Sequence, residues 1–220
     1  MDVKLVAWAR AVKTRRATLA GLAPPLWLFT DAVRLGDPLH IVARLPRGLA
    51  GVVLRDDALD GRNALARDLA RLCRARSLWL SVAGDWRLAA AVGAGVHLRA
   101  GRRPAGMPRW LPALTSSAHG PADLRRAGRA GAALGFLSPV FPTVSHPGVA
   151  ALGPLRWRLA VHQAGRGAAP AAALGGVTGQ VVRRLPRCCR AVGAIGALEG
   201  KMWQGRHSVS RLPKSDENSH

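Results

Sequence analysis

The sequence predicts an α/β protein, a single (β/α)8 TIM barrel, and three observations carry that expectation. Eight short apolar runs recur along the chain, Arg-faced helical stretches lie between them, and the runs are continuously apolar instead of alternating. Continuous apolar strands belong to parallel sheets buried on both faces, and eight strand-helix units close into a barrel. A doubly wound open sheet is the runner-up for the same pattern. With 220 residues, 49% of them hydrophobic, the chain has enough for one sizeable core and is short for two.

The elements follow in chain order. Residues 1–24 are expected to form a basic helical extension, because "MDVKLVAWARAVKTRR" puts its basic residues after its apolar ones, the reverse of a secretory signal. The barrel is expected over residues 25–200. Its strands are read at "LWLFT" (26–30), "GVVLR" (51–55), "LWLSV" (78–82), "AGVHL" (94–98), "PALTS" (112–116), "ALGFLS" (133–138), "PAAALGG" (170–176) and "AVGAIG" (191–196). Between them, stretches such as "NALARDLARLCRAR" (63–76) and "ADLRRAGRAGAAL" (122–134) carry Leu and Ala at helical spacing with Arg on the other face. The polar end, residues 201–220, lacks periodicity and is expected to be a disordered tail.

The net charge of +21 suggests a polyanionic partner, but its quality argues against nucleic acid. Lysines stand only at Lys4, Lys13, Lys201 and Lys214, so the basic excess is arginine, spread among Ala, Gly, Leu and Pro. A nucleic-acid surface interleaves a basic stripe with stacking aromatics, whereas this chain has no Tyr and three Phe. Cys73, Cys188 and Cys189 form neither a disulfide framework nor a zinc spacing, which fits a reducing cytoplasm. No apolar run reaches membrane-spanning length, so no membrane partner is expected.

Barrel chemistry sits at the C-terminal ends of the strands. Those ends hold Thr30-Asp31, Arg55-Asp56-Asp57, Ala83-Gly84-Asp85, His97, Ser117 to His119, the loop "SPVFPTVSHPG" (138–148), Gly175-Gly176 and Ile195-Gly196. Prolines restrict that loop by fixing φ and by pushing the preceding residue toward extended backbone. Thr143 and Ser145, two apart, share one side of an extended segment.

In order and spacing, "LWLFTD", "GVHL", "SSAH", "SPVFPTVSHPG", "ALGGV" and "AIGAL" resemble successive landmarks of the thiamine phosphate synthase/TenI family over residues 26–198. That resemblance implies a barrel that binds thiazole phosphate, either joining it to a pyrimidine pyrophosphate or, in TenI-type members, isomerising the thiazole. It also implies that the backbone at Gly175-Gly176 and Ile195-Gly196 holds phosphate. The same comparison puts Thr143 and Ser145 near phosphate, Arg55 and Ser117 near substrate, and His119 where TenI-type members shuttle protons. His146 stands where the family carries Lys, so a fixed charge becomes one that titrates near about 6.5. His97 is expected to be structural or to support the site.

The departures set the expected chemistry. Family synthases hold magnesium with carboxylates and an Asn-Asp pair at positions that read Asp56-Asp57, Ala83-Gly84 and Arg102 here. The Asp inside the family's "ADGVH" is missing from "GAGVH". Magnesium needs hard oxygen ligands in near-octahedral array, which Ala, Gly and Arg do not supply. The expectation is therefore a TenI-like enzyme of thiamine biosynthesis that uses a His, takes a small phosphate-bearing substrate and needs no cofactor. The alternatives are a synthase whose magnesium site is rebuilt from Asp56, Asp57 and Asp85, and a non-catalytic Arg-rich barrel that binds ligand or nucleic acid. A homo-oligomer is left open.

Overall fold

A computed structural model describes residues 1–15, 23–35, 37–55, 60–143 and 148–199. Eight parallel strands close on themselves in sequence order: β1 (Leu26–Phe29), β2 (Ala50–Leu54), β3 (Trp79–Ala83), β4 (Gly95–Leu98), β5 (Ala113–Ala118), β6 (Leu134–Leu137), β7 (Ala171–Ala173) and β8 (Val192–Ala194). The register Leu26↔Val192 between β1 and β8 makes the closure, as the eight apolar runs predict. The helices are α1 (Val3–Arg15), α2 (Pro38–Arg44), α3 (Arg62–Ala75), α4 (Trp86–Ala91), α5 (Pro121–Arg129), α6 (Gly153–Ala164) and α7 (Gly196–Glu199), with a 3-10 turn at Val182–Arg184.

Alternation along the strands fills the barrel. Trp27, Phe29 and Phe136 are buried inside it and meet edge to face, with centroids 4.9 to 5.9 Å apart. Room for that bulk comes from the neighbouring strand, where a Cβ on Gly51 would lie 2.6 Å from the Trp27 ring. The other faces, Leu28, Val52, Val82, Val96 and Leu98, pack outward with Ala66, Leu69 and Leu124 of the helices. The helices form where sequence chemistry asks for them. In α3 the residues Ala66, Leu69, Ala70 and Cys73 are buried at helical spacing. Asp37 and Asp85 cap α2 and α4, accepting the Leu39 and Leu88 N–H groups.

Two departures from the expected pattern matter for the site. The stretch read as helical through residue 134 ends at Arg129, where Gly131 takes a φ of +79° and β6 begins. Secondly, the connection from β4 to β5 contains no helix. Residues 99–112 include Pro104, Pro108 and Pro112, which remove backbone donors, and Gly101 and Gly106, which take positive φ.

The N-terminal helix packs into the main core through Leu5, Val6 and Ala9. Asp2 ties its start to the barrel: its N–H donates to the Ala197 carbonyl (3.0 Å) and its carboxylate accepts the Gly179 N–H (2.6 Å). No helix among the described residues is long and apolar enough to cross a membrane. Residues 201–220, read as a tail, lie outside the described residues.

Candidate active site

The C-terminal end of the barrel gathers three groups of residues. The first is the pair of turns after β7 and β8. Gly175 and Gly176 take φ of +91° and +64°, and the loop after β6 lies directly against them, with Val140 N–H donating to Leu174 O (2.9 Å) and Phe141 N–H to Gly175 O (3.1 Å). A Cβ on Gly176 would sit 2.3 Å from the Pro142 carbonyl, so this glycine is needed for packing as well as for its backbone conformation. Ile195 is half-buried, and Gly196, the first residue of α7, is exposed with open space around its Cβ position. Thr143 is half-buried at the end of the described part of the β6 loop, while Ser145 and His146 lie outside the described residues.

The second group surrounds His119, exposed just past β5. Its backbone N–H donates to Asp123 Oδ2 (2.8 Å) in the first turn of α5, which fixes the residue's place. Its ring Nδ1 lies 3.4 Å from the Ser138 carbonyl at the end of β6. A carbonyl only accepts, so this contact puts the proton on Nδ1 and leaves Nε2 as the basic nitrogen. Ser117, the predicted substrate contact, accepts the Ala100 N–H (3.1 Å) and so also holds the β4 loop. Arg55 turns toward Asp31, its Nη2 3.0 Å from Oδ2, and its N–H donates to Thr30 Oγ1 (3.0 Å).

The third group is a cleft of about 720 Å³ at the ends of β3 and β4, with arginines 62, 87, 99, 102 and 103 in its wall, Asp85 beside them and His97 as its floor. His97 Nδ1 meets Thr115 Oγ1 at 2.8 Å, and Thr115 Oγ1 meets Ser81 Oγ at 3.0 Å, all within the barrel. Burial, reinforced by Arg55 and Arg99, lowers the His97 pKa from 6.5 to about 3, so the ring is neutral. Asp85 is occupied: Oδ1 caps α4 (2.9 Å to Leu88 N) and Oδ2 faces Arg62 at 4.0 Å. Its companions in the rebuilt metal set, Asp56 and Asp57, lie outside the described residues.

Magnesium is the cofactor the barrel's likeness to synthases brings into question, and the described lining does not suit it. Asp85 is the cleft's one carboxylate among the described residues, and guanidinium groups surround it, whereas a hard cation asks for several oxygens and no adjacent cations. Sequence reading overlooked Arg62 and Arg87. Both lie in the first turn of the helix that follows a strand, a position that carries side chains to the C-terminal rim.

Glycine turns after the last two strands are where parallel eight-stranded barrels frequently hold phosphate. The chain belongs to the thiamine monophosphate synthase (TMP-TENI) family, whose model matches residues 30–196. Solved structures agree on the fold. The thiamine phosphate pyrophosphorylase of Pyrococcus furiosus superposes with a TM-score of 0.65 at 23% identity, over 81% of this chain and 88% of that one. The thiamine phosphate pyrophosphorylase of Bacteroides thetaiotaomicron gives 0.54 at 16% identity, over 89% of both chains. An HpcH/HpaI aldolase from Desulfitobacterium hafniense gives 0.52 at 12%, over 82% of this chain and 88% of that one. No curated protein matches the chain.

Proposed function

We propose that this barrel is a TenI-like enzyme of thiamine biosynthesis that binds thiazole phosphate and isomerises the thiazole without magnesium, in the cytoplasm. The observation that carries the reading is His119, whose Nδ1 faces the Ser138 carbonyl so that Nε2 is free to take a proton. In this reading the backbone at Gly176 and Gly196 grips the phosphate, and Thr143, Ser145 and His146 are the loop residues assigned to it. His119 Nε2 removes a proton from one position of the thiazole and returns it at another as the double bond shifts, so no atom is gained or lost. Neutral His97 lies deeper and is fixed by Thr115, which suits a wall and not a shuttle.

The test is a pair of reactions. His119→Gln should lower isomerisation at least about a hundredfold, the usual size of a general acid-base contribution, while thiazole phosphate still binds. Incubation with thiazole phosphate and pyrimidine pyrophosphate should give no magnesium-dependent thiamine phosphate. Product that requires magnesium and disappears with Asp56→Asn or Asp85→Asn would make the protein a synthase with a rebuilt metal site.

A further inference from the structure

At the N-terminal end of the barrel, opposite the glycine turns, lies an apolar hollow of about 410 Å³. It sits between the starts of β3, β4 and β5 and the end of α4, and its walls include Trp79, Ala90, Gly93, Gly95, Trp110 and Leu114. The sequence explains why it is open. The β4–β5 connection supplies no helix to cover this part of the sheet, and Ala90, Gly93, Ala94 and Gly95 leave little side-chain bulk between α4 and β4. A β-bulge shapes the wall further: Val96 pairs with Ala113 and His97 with Thr115, so Leu114 is an extra residue. Leu114 lies over Gly95, where a Cβ would come within 2.2 Å of its Cγ. Bulges of this kind re-aim side chains at barrel rims.

Two indoles give the hollow its chemistry. Trp79 is half-buried and held edge to face by Trp27 inside the barrel, with centroids 6.5 Å apart, while Trp110 is 73% exposed. The indole N–H groups of Trp27 and Trp157 donate to the Pro24 and Leu137 carbonyls, but those of Trp79 and Trp110 have no acceptor among the described residues. Each therefore offers a ring to stack on and a hydrogen bond to give. The charge around them has one sign. Arg109 is exposed next to Trp110, and Arg74, which donates to Val92 O (3.1 Å), stands 3.8 Å from the Cβ position of Gly93. Neither arginine has an acidic partner among the described residues, and no Asp or Glu lines the hollow. A second copy of the chain would set Arg109 against like charge. Eleven residues form the walls, against about 20–30 a side in a protein interface, and the volume is within the range of about 300–1,000 Å³ typical of small-molecule sites.

We propose that this hollow is a second ligand site, for a small aromatic carboxylate whose ring packs against Trp79 and Trp110 and whose anionic group turns toward Arg74 and Arg109. A planar guanidinium fork pairs with a planar carboxylate, and the idle indole donors add a hydrogen bond to it. The site stands apart from the thiazole phosphate reading, which concerns the opposite end of the barrel.

The test is calorimetric titration of the full chain with 2-naphthoate, and with 2-naphthalenemethanol as the same ring without the charge. Naphthoate should bind with a dissociation constant below about 1 mM, and the alcohol at least about fivefold more weakly. Trp110→Ala and Arg109→Gln, both at exposed positions, should each weaken naphthoate at least about fivefold at an unchanged melting temperature, the size of one lost stacking or charge-assisted contact. Ala90→Leu, at a half-buried position, fills the hollow and should abolish binding. Absence of binding below 1 mM, equal affinity for acid and alcohol, or unchanged affinity in the Trp110→Ala, Arg109→Gln double variant overturns the proposal. So does displacement of naphthoate by thiazole phosphate, which would put it at the other end of the barrel. A sedimentation mass above one chain that returns to one chain in Trp110→Ala overturns it too, by making the hollow an interface between copies.

Discussion

His97 shows how burial turns a titratable residue into a fixed one. In the unfolded chain its imidazole takes a proton below about 6.5, but in the folded barrel it stays neutral down to about 3. As pH falls through that interval the unfolded state binds a proton that the folded state refuses, so stability is lost at about 1.4 kcal/mol per pH unit. His97→Gln, which keeps a polar group near Thr115, should flatten the decline in melting temperature between pH 6.5 and 4; an unchanged slope would assign the acid sensitivity to other groups. From sequence, "GVHL" marks a strand-borne histidine, and its supporting role is legible there. Its bonds through Thr115 to Ser81 are not, because they join strands 18 and 34 residues apart. Gly176 is a comparable case: "LGGV" marks it as a candidate for the proposed phosphate site, whereas its close approach to Pro142 is visible only once the β6 loop is seen beside it. A side chain at Gly176 would therefore disturb the loop as well as the proposed ligand.

At the scale of elements, the eight strands are legible because each is a largely apolar run, and the observed strand ends fall within three residues of the expected ones, β7 ending at Ala173 where the run was read through 176. The β4–β5 connection was harder to read, since "LRAGRRPAGMPRWLP" has neither helical nor strand periodicity and its shape depends on bonds to Ser116, Ser117 and Arg126 elsewhere. Helix α1 was legible as a basic helix but not as a clasp. Asp2 accepts the Lys4 and Leu5 N–H groups at the start of α1 and the Gly179 N–H beyond β7, and its own N–H meets Ala197 beyond β8. It thereby joins the two segments that follow the glycine turns. Asp2→Ala should cost about 1–2 kcal/mol in chemical denaturation, the size of a lost cap, and weaken phosphate-ligand binding several-fold. Asp2→Asn, which keeps an acceptor oxygen, should recover most of both. Loss of stability with full affinity would confine Asp2 to a capping role.

For the molecule as a whole, composition alone pointed two ways. A charge of +21 suggests a polyanion binder, yet the described arginines mostly serve the barrel's outer surface, and the concentration at the C-terminal rim emerges only from the fold. Three-dimensional closure brings residues 62, 87 and 99–103 to one wall and residues 119, 138, 176 and 196 to the same end of the barrel. The central claim is that thiazole phosphate is held at the turns after β7 and β8 without a metal. Titration of the full chain with thiazole phosphate in excess EDTA, for wild type and Gly196→Val, tests it most directly. Gly196 has open space for a side chain, so the valine variant should fold normally and cover the backbone N–H that the anion needs. The account predicts wild-type binding that is the same with and without magnesium and at least about tenfold weaker in Gly196→Val, at an unchanged melting temperature. Wild-type binding that vanishes in EDTA, or equal affinity in the two proteins, would contradict it.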